Sequence, residues 1–184
     1  MSQWQNADGL TVKYAGYFRD PANSVNKANE LSVSGAIKQI ELDFDLTRIP
    51  TTTVSYSTDL NNDGIKDGFN IGDVYLPANA SVLRATMIAL DAAAGGTSFT
   101  VGTYTLAGAA IAATGLITAT EGVLANINAA GKRVYGNGAL VATTAGTGGV
   151  GNADAFIGIS TTGTFTAGRG RLIIEYIDPL VDAV

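Results

Sequence analysis

Oxygen-bearing side chains at alternate positions form the sharpest chemical pattern in this chain. They stand at Asp59, Asn61, Asp63 and Asp67 in the run Asp59-Leu60-Asn61-Asn62-Asp63-Gly64-Ile65-Lys66-Asp67. A calcium loop uses this spacing because alternate side chains converge on one hard cation, a central glycine permits the sharp turn, and one backbone carbonyl, here that of Ile65, completes the set. The place of the bidentate glutamate of an EF-hand is taken by Asn70, and no helical pattern flanks the run. An isolated Asp-rich loop holding a structural calcium is one reading. The other is a solvated turn, since Asn-Asp-Gly is ordinary turn chemistry without an ion.

Other patterns invite chemistry and do not support it. Glu41, Asp43 and Asp45 line one face of a strand, but residues two apart on a strand lie roughly 7 Å from each other and read as a solvated face. Gly146-Thr147-Gly148-Gly149-Val150-Gly151 lacks the Lys-Ser/Thr end of a phosphate loop and the strand and helix that would flank one. The five lysines are scattered, so no Ser-Lys pair is indicated. The chain has no histidine and no cysteine, which removes the imidazole base, the Ser-His-Asp triad, the thiolate nucleophile, histidine and cysteine metal sites, and disulfides. The expectation is a protein that is not an enzyme, with no catalytic residues.

The elements that would position these residues are short strands. Ile40, Leu42, Phe44 and Leu46 alternate with the three carboxylates, which predicts a half-buried antiparallel strand over 38–46. Further strands are expected over 51–57, 82–90, 98–106, 132–141, 155–161 and 169–177, with 82–90 apolar on both faces. One helix is expected over 118–131: Thr118 and Glu121 have capping-box spacing, Val123, Leu124 and Ile127 share a face, and Gly131 can end it. Turn signals recur about every ten residues in the second half. The fold class is therefore all-β: a β-sandwich of jelly-roll type with one short helix.

The first thirty residues differ from the rest. Trp4, Tyr14, Tyr17 and Phe18 place four of fourteen aromatic side chains in a polar stretch. Residues 1–33 read either as an extended N-terminal arm that ties down on another surface or as a first strand, and residues 34–184 as the sandwich domain.

Composition sets the remaining bounds. The 184 residues are 46% hydrophobic, only 15% charged, and carry a net charge of −5. Such a chain has enough apolar content for a core and is not a disordered one. Acidic balance and scattered cations, with Arg169-Gly170-Arg171 the closest pair, exclude a nucleic-acid footprint. The most apolar window, 106–117, is too short to span a bilayer and the start lacks a signal peptide, so no membrane partner is expected. Few charges and many small side chains suit a subunit covered by other protein subunits.

A series of short elements resembles small virion structural proteins of tailed bacteriophages, notably marine podophage-like ones, of the capsid decoration or cement type. It comprises Ser34-Gly35-Ala36-Ile37-Lys38-Gln39-Ile40, Leu76-Pro77-Ala78-Asn79-Ala80, Gly95-Gly96-Thr97 leading to Val101-Gly102, and Gly115-Leu116-Ile117-Thr118-Ala119-Thr120-Glu121-Gly122. It closes with Gly163-Thr164-Phe165-Thr166-Ala167-Gly168 running into Leu172-Ile173-Ile174-Glu175-Tyr176. The resemblance spans about residues 34–179. It implies a β-sandwich on the capsid surface of the virion, made in the host cytoplasm, partnered by the major capsid protein and commonly a homotrimer. Trp4, Tyr14, Tyr17, Phe18 and Tyr176 are the expected interface anchors, since aromatic residues are favoured there. Two other readings stand beside it: a tail, baseplate or head–tail joining subunit, and an extracellular calcium-dependent carbohydrate-binding or adhesive β-sandwich using the Asp59 loop.

Overall fold

The computed structural model describes residues 2–5, 11–16, 27–32, 37–49, 74–141 and 149–178, the first three segments as backbone only. Among the described residues thirteen strands follow in chain order: β1 (Ser2–Gln5), β2 (Thr11–Gly16), β3 (Lys27–Ser32), β4 (Ile37–Asp45), β5 (Tyr75–Leu76), β6 (Ser81–Ala89), β7 (Ala94–Gly95), β8 (Ser98–Tyr104), β9 (Ala110–Ile117), β10 (Arg133–Tyr135), β11 (Ala155–Thr162), β12 (Phe165–Ala167) and β13 (Arg169–Ile177). They form an all-β sandwich. One sheet has seven strands in the order β1-β2-β3-β4-β13-β6-β10, the second has four in the order β5-β11-β8-β9, and β12 pairs with β7. Every pairing among the described residues is antiparallel. The expected strand at 51–57 lies outside the described residues, as do the connections 50–73 and 142–148 that bear on a jelly-roll pattern.

Alternation carries directly into burial. On β4 the side chains of Ile40, Leu42 and Phe44 are buried while Glu41, Asp43 and Asp45 are partly exposed. β13 does the same with Leu172, Ile174 and Tyr176 buried against Arg171, Ile173 and Glu175. The buried faces of the two sheets meet in one core, where the rings of Phe44 and Phe99 lie 6.3 Å apart, tilted by 45°. Ile157 and Ile159 of β11, Val101 of β8, and Leu116 and Ile117 of β9 complete the second layer. Each such side chain contributes about 1.5–3 kcal/mol through apolar area removed from water.

The last described strand, β13, lies in the interior of the large sheet. It pairs with β4 from Arg169↔Asp45 to Ile177↔Ile37, and on its other side with β6 from Gly170↔Ala89 to Ile177↔Ser81. The pairing with β6 slips by one residue between Glu175 and Tyr176, so Leu83 has no opposite number. That bulge changes the reading of 82–90 as apolar on both faces. Val82, Ala85, Met87 and Ala89 turn inward, Arg84 is exposed and Ile88 half-exposed, and Leu83 is the extra residue.

One pair of alternatives is narrowed and one expectation is corrected. Of the two readings of residues 1–33, the described segments take the strand one: β1, β2 and β3 form a meander that continues the large sheet outward from β4. The helix expected at 118–131 is absent; this stretch holds a single 3-10 turn at Leu124–Asn126. Its local signal is real, since the Glu121 carboxylate accepts from both the Thr118 amide and the Thr118 hydroxyl. Tertiary backbone bonds overrule it. Phe99 N donates to Gly122 O at 3.0 Å and Leu124 N donates to Thr97 O at 2.9 Å, which draws 122–124 alongside β8. Gly122 accommodates this approach, because a Cβ there would overlap the Phe99 carbonyl. Lys132 then closes the loop by donating to Ala125 O at 2.6 Å and Asn128 Oδ1 at 2.7 Å.

Candidate functional site

The outward face of the large sheet carries the charged side chains, and strand register pairs them. Arg171 on β13 stands opposite Asp43 on β4, and Glu175 stands opposite Arg84 on β6. Both pairs close as ion pairs, Arg171–Asp43 at 2.7 Å and Arg84–Glu175 at 2.5 Å. Arg169 donates through Nε to Asp91 just beyond β6. The hydrogen bond from Arg169 holds the Asp91 carboxyl below the usual carboxylate range, and the same bond holds the guanidinium above its own. The bond to Asp43 raises Arg171 likewise. Asp45 caps the 3-10 turn at Leu46–Arg48, accepting from the Thr47 amide at 2.9 Å and the Thr47 hydroxyl at 2.7 Å. Glu41 accepts from Gln39 Nε2 at 2.9 Å. Asp43 thus bridges two strands, Asp45 caps the turn, and Glu41 bonds within its own strand.

The predicted site residues fall in different places. Asp59, Asn61, Asp63, Ile65 and Asp67, the calcium reading, lie outside the described residues, and so do Tyr17 and Phe18. Among the described residues no group of three acidic side chains is placed to hold a metal ion. Trp4 and Tyr14 lie on the outermost hairpin of the large sheet, Trp4 opposite Val12 and Tyr14 opposite Ser2. Tyr176 is a correction. It is fully buried at 0% exposure, on the inward face of β13 beside Ile174, so it is a core residue and has no surface to offer a partner.

Sequence reasoning missed the most distinctive surface. Residues 92–120 contain no charged side chain, and they fold into β7, β8, β9 and the turns around them. At the β8–β9 turn, Leu106, Ala107, Ala109, Ala110 and Ile111 are all exposed, with Gly108 half-exposed between them. Leu106 is 43% and Ile111 44% exposed. The turn is well made: Thr105 N donates to Ala109 O at 2.8 Å, Gly108 N to Thr105 O at 2.9 Å, and Ala109 N to the Thr105 hydroxyl at 3.1 Å. Gly108 holds a left-handed φ of 82°, which favours glycine. Between Tyr104↔Ala110 and Thr103↔Ala112 the pairing bulges, and Ile111 is the extra residue, left without an opposite number on β8. The signal was present as the apolar window at 106–117. Length ruled out a membrane span; the exposure of its first half required the tertiary fold.

A second aromatic set lies on the other face of the small sheet. Tyr75, Phe156 and Tyr104 stand in one row across β5, β11 and β8, the first two with rings 5.6 Å apart. Phe156 and Tyr104 are buried, so this row is internal packing. No protein-family model, no curated protein and no solved structure matches this chain.

Proposed function

We propose that this protein is a structural subunit of a virion, of the capsid decoration or cement type, that binds the outer surface of the major capsid protein lattice and stabilises the head without catalysis. The observation that carries the reading is the uncharged stretch 92–120 with its exposed apolar turn at 106–111, on a sandwich whose outward charges largely pair with one another. An exposed apolar run of this kind on a folded domain suits contact with other protein. The resemblance over 34–179 supports the capsid location, and the uncharged, apolar character of this surface favours a protein partner.

Stabilisation on this reading is mass action. A subunit that binds the assembled lattice, and not the free capsid protein, shifts the equilibrium toward the shell according to its concentration and affinity. The purified protein is expected to co-sediment with mature shells, to raise their disruption temperature, and to occupy many equivalent places per particle. Failure to bind shells under any maturation state overturns the reading. A copy number matching a single ring moves the protein to the tail or the head–tail joint.

A further inference from the structure

We infer that Asn137 is a site of spontaneous covalent modification: the main-chain nitrogen of Gly138 attacks the Asn137 side chain, which loses ammonia and ends as aspartate or isoaspartate. The inference goes beyond the virion reading and does not depend on it.

Sequence and structure together single out this asparagine. It is the only asparagine of the chain followed by glycine. Having no Cβ, a glycine lets its nitrogen approach the preceding side chain with the least hindrance. Asn137 is exposed to water, and among the described residues its side-chain amide has no hydrogen-bond partner. Two other asparagines are held: Asn126 donates to Glu121 O at 2.9 Å, and Asn128 accepts from Lys132 Nζ at 2.7 Å. Asn79 and Asn152 are each followed by alanine.

The attacking nitrogen is the most weakly held in its segment. The chain leaves β10 fixed by Gly136 N donating to Ala85 O at 2.8 Å, and is fixed again by Leu140 N donating to Gly115 O at 2.8 Å. Between them Gly138 N donates to Leu116 O at 3.3 Å, just beyond the usual range for an amide. Gly138 is buried, while Asn137 and Ala139 on either side are exposed. Solvent therefore meets the Gly138 proton in brief local openings, which one long bond does little to prevent.

The steps balance with water alone. A solvent base takes the Gly138 N–H proton, and the nitrogen becomes a nucleophile. It bonds to Asn137 Cγ, the Cγ–Nδ2 bond breaks, and Nδ2 takes a proton from solvent and leaves as ammonia. The product is a cyclic imide, which water opens. Attack at Cγ gives aspartate. Attack at the Asn137 main-chain carbonyl carbon gives isoaspartate, whose main chain runs through Cβ and Cγ and is one atom longer. In either case the broken bond is that to the Gly138 nitrogen, which regains its proton.

Both products add a negative charge to a chain of net charge −5. Isoaspartate also disturbs the fold. A Cβ on Gly138 would overlap the Gly115 backbone and the Thr114 carbonyl, so this contact has no slack for a longer link. The bonds from Gly138 and Leu140 to β9 should loosen.

The test incubates the folded, full-length protein in neutral and mildly alkaline buffer, with a parallel sample in urea. Trypsin releases residues 134–169 as one peptide, which mass spectrometry sequences. Asn137 is expected to convert in the folded protein while Asn152, in the same peptide, stays intact. The rate should rise about tenfold per pH unit, as for attack by a deprotonated nitrogen. Converted molecules should bind an anion exchanger more tightly, and in the isoaspartate form the Leu140 amide should exchange its hydrogen faster. Asn137→Gln, at an exposed position, should keep the wild-type circular dichroism and resist conversion, because its longer side chain closes a less favourable ring. An Asn137 that stays intact in the folded protein, whether or not it converts in urea, overturns the inference. So does conversion of Asn152 at the same rate, since the attack would then owe nothing to Gly138.

Discussion

Arg171 on β13 grips Asp43 on β4 through two parallel bonds, Nε to Oδ1 at 2.7 Å and Nη2 to Oδ2 at 2.9 Å. The two residues are direct partners in the ladder, so the ion pair reports the register between β4 and the interior strand β13. Its side chains are 42% and 32% exposed, which limits its energy. Asp43→Asn is expected to lower stability by about 0.5–1 kcal/mol, read as a shift in urea midpoint, and the shift should shrink in high salt.

Asp91 and Arg169 make a pH prediction whose sign follows from the direction of the shift. The bond from Arg169 holds the Asp91 carboxyl below its ordinary value. A depressed folded value means that the stabilisation is present above the unfolded value and is lost as pH falls through the folded one. In an NMR titration Asp91 should therefore ionise at lower pH than a free aspartate. Arg169→Gln should return it upward; an unchanged titration would remove the pair.

Thr103 is fully buried on β8, and among the described residues its hydroxyl has no hydrogen-bond partner. An unpaired buried hydroxyl is a cost, and an apolar group of the same shape relieves it. Thr103→Val is expected to raise stability by about 1 kcal/mol in urea unfolding. A loss of stability would show that the hydroxyl has a partner after all.

Two glycines should respond differently to alanine. A Cβ on Gly102 would run into the backbone of Ala112 and Ala113, while one on Gly131 meets nothing within 4 Å, though its φ is +82°. Gly131→Ala should cost about 1 kcal/mol from backbone conformation alone. Gly102→Ala should cost about 3 kcal/mol by overpacking. Gly102→Ala should also move the amide signals of β9, which the Gly131 variant should leave in place.

β13 is the last of the described strands and central in the sheet, with partners on both sides. A chain ending before Arg169 leaves β4 and β6 without their shared neighbour and removes Leu172, Ile174 and Tyr176 from the core. It should lack cooperative unfolding altogether. Because each of these contacts joins distant parts of the chain, refolding of the intact protein should be slow for its size, as stopped-flow fluorescence would show. A folded truncation would contradict the sheet order.

Some of this was legible beforehand because it is local. Alternation of Ile40, Leu42 and Phe44 with acidic residues determines a strand and its buried face whatever it pairs with, and the same holds for Leu172, Ile174 and Tyr176. The absence of histidine and cysteine bounds the chemistry without any coordinates. Tyr176 shows the limit of that reasoning: an aromatic residue near a chain end looks the same in sequence whether it faces a partner or the core.

What the sequence determined by itself, then, is the all-β character, the phase of the principal strands and the set of chemistries open to the chain, since these depend on neighbours one to four residues apart. Only the tertiary structure decided that 122–124 would join β8 instead of a helix, that a bulge at Leu83 would reset the faces of β6, and that Leu106 to Ile111 would stand in solvent. Each of those outcomes turns on backbone bonds and packing between segments far apart in the chain, and no local preference is strong enough to fix them.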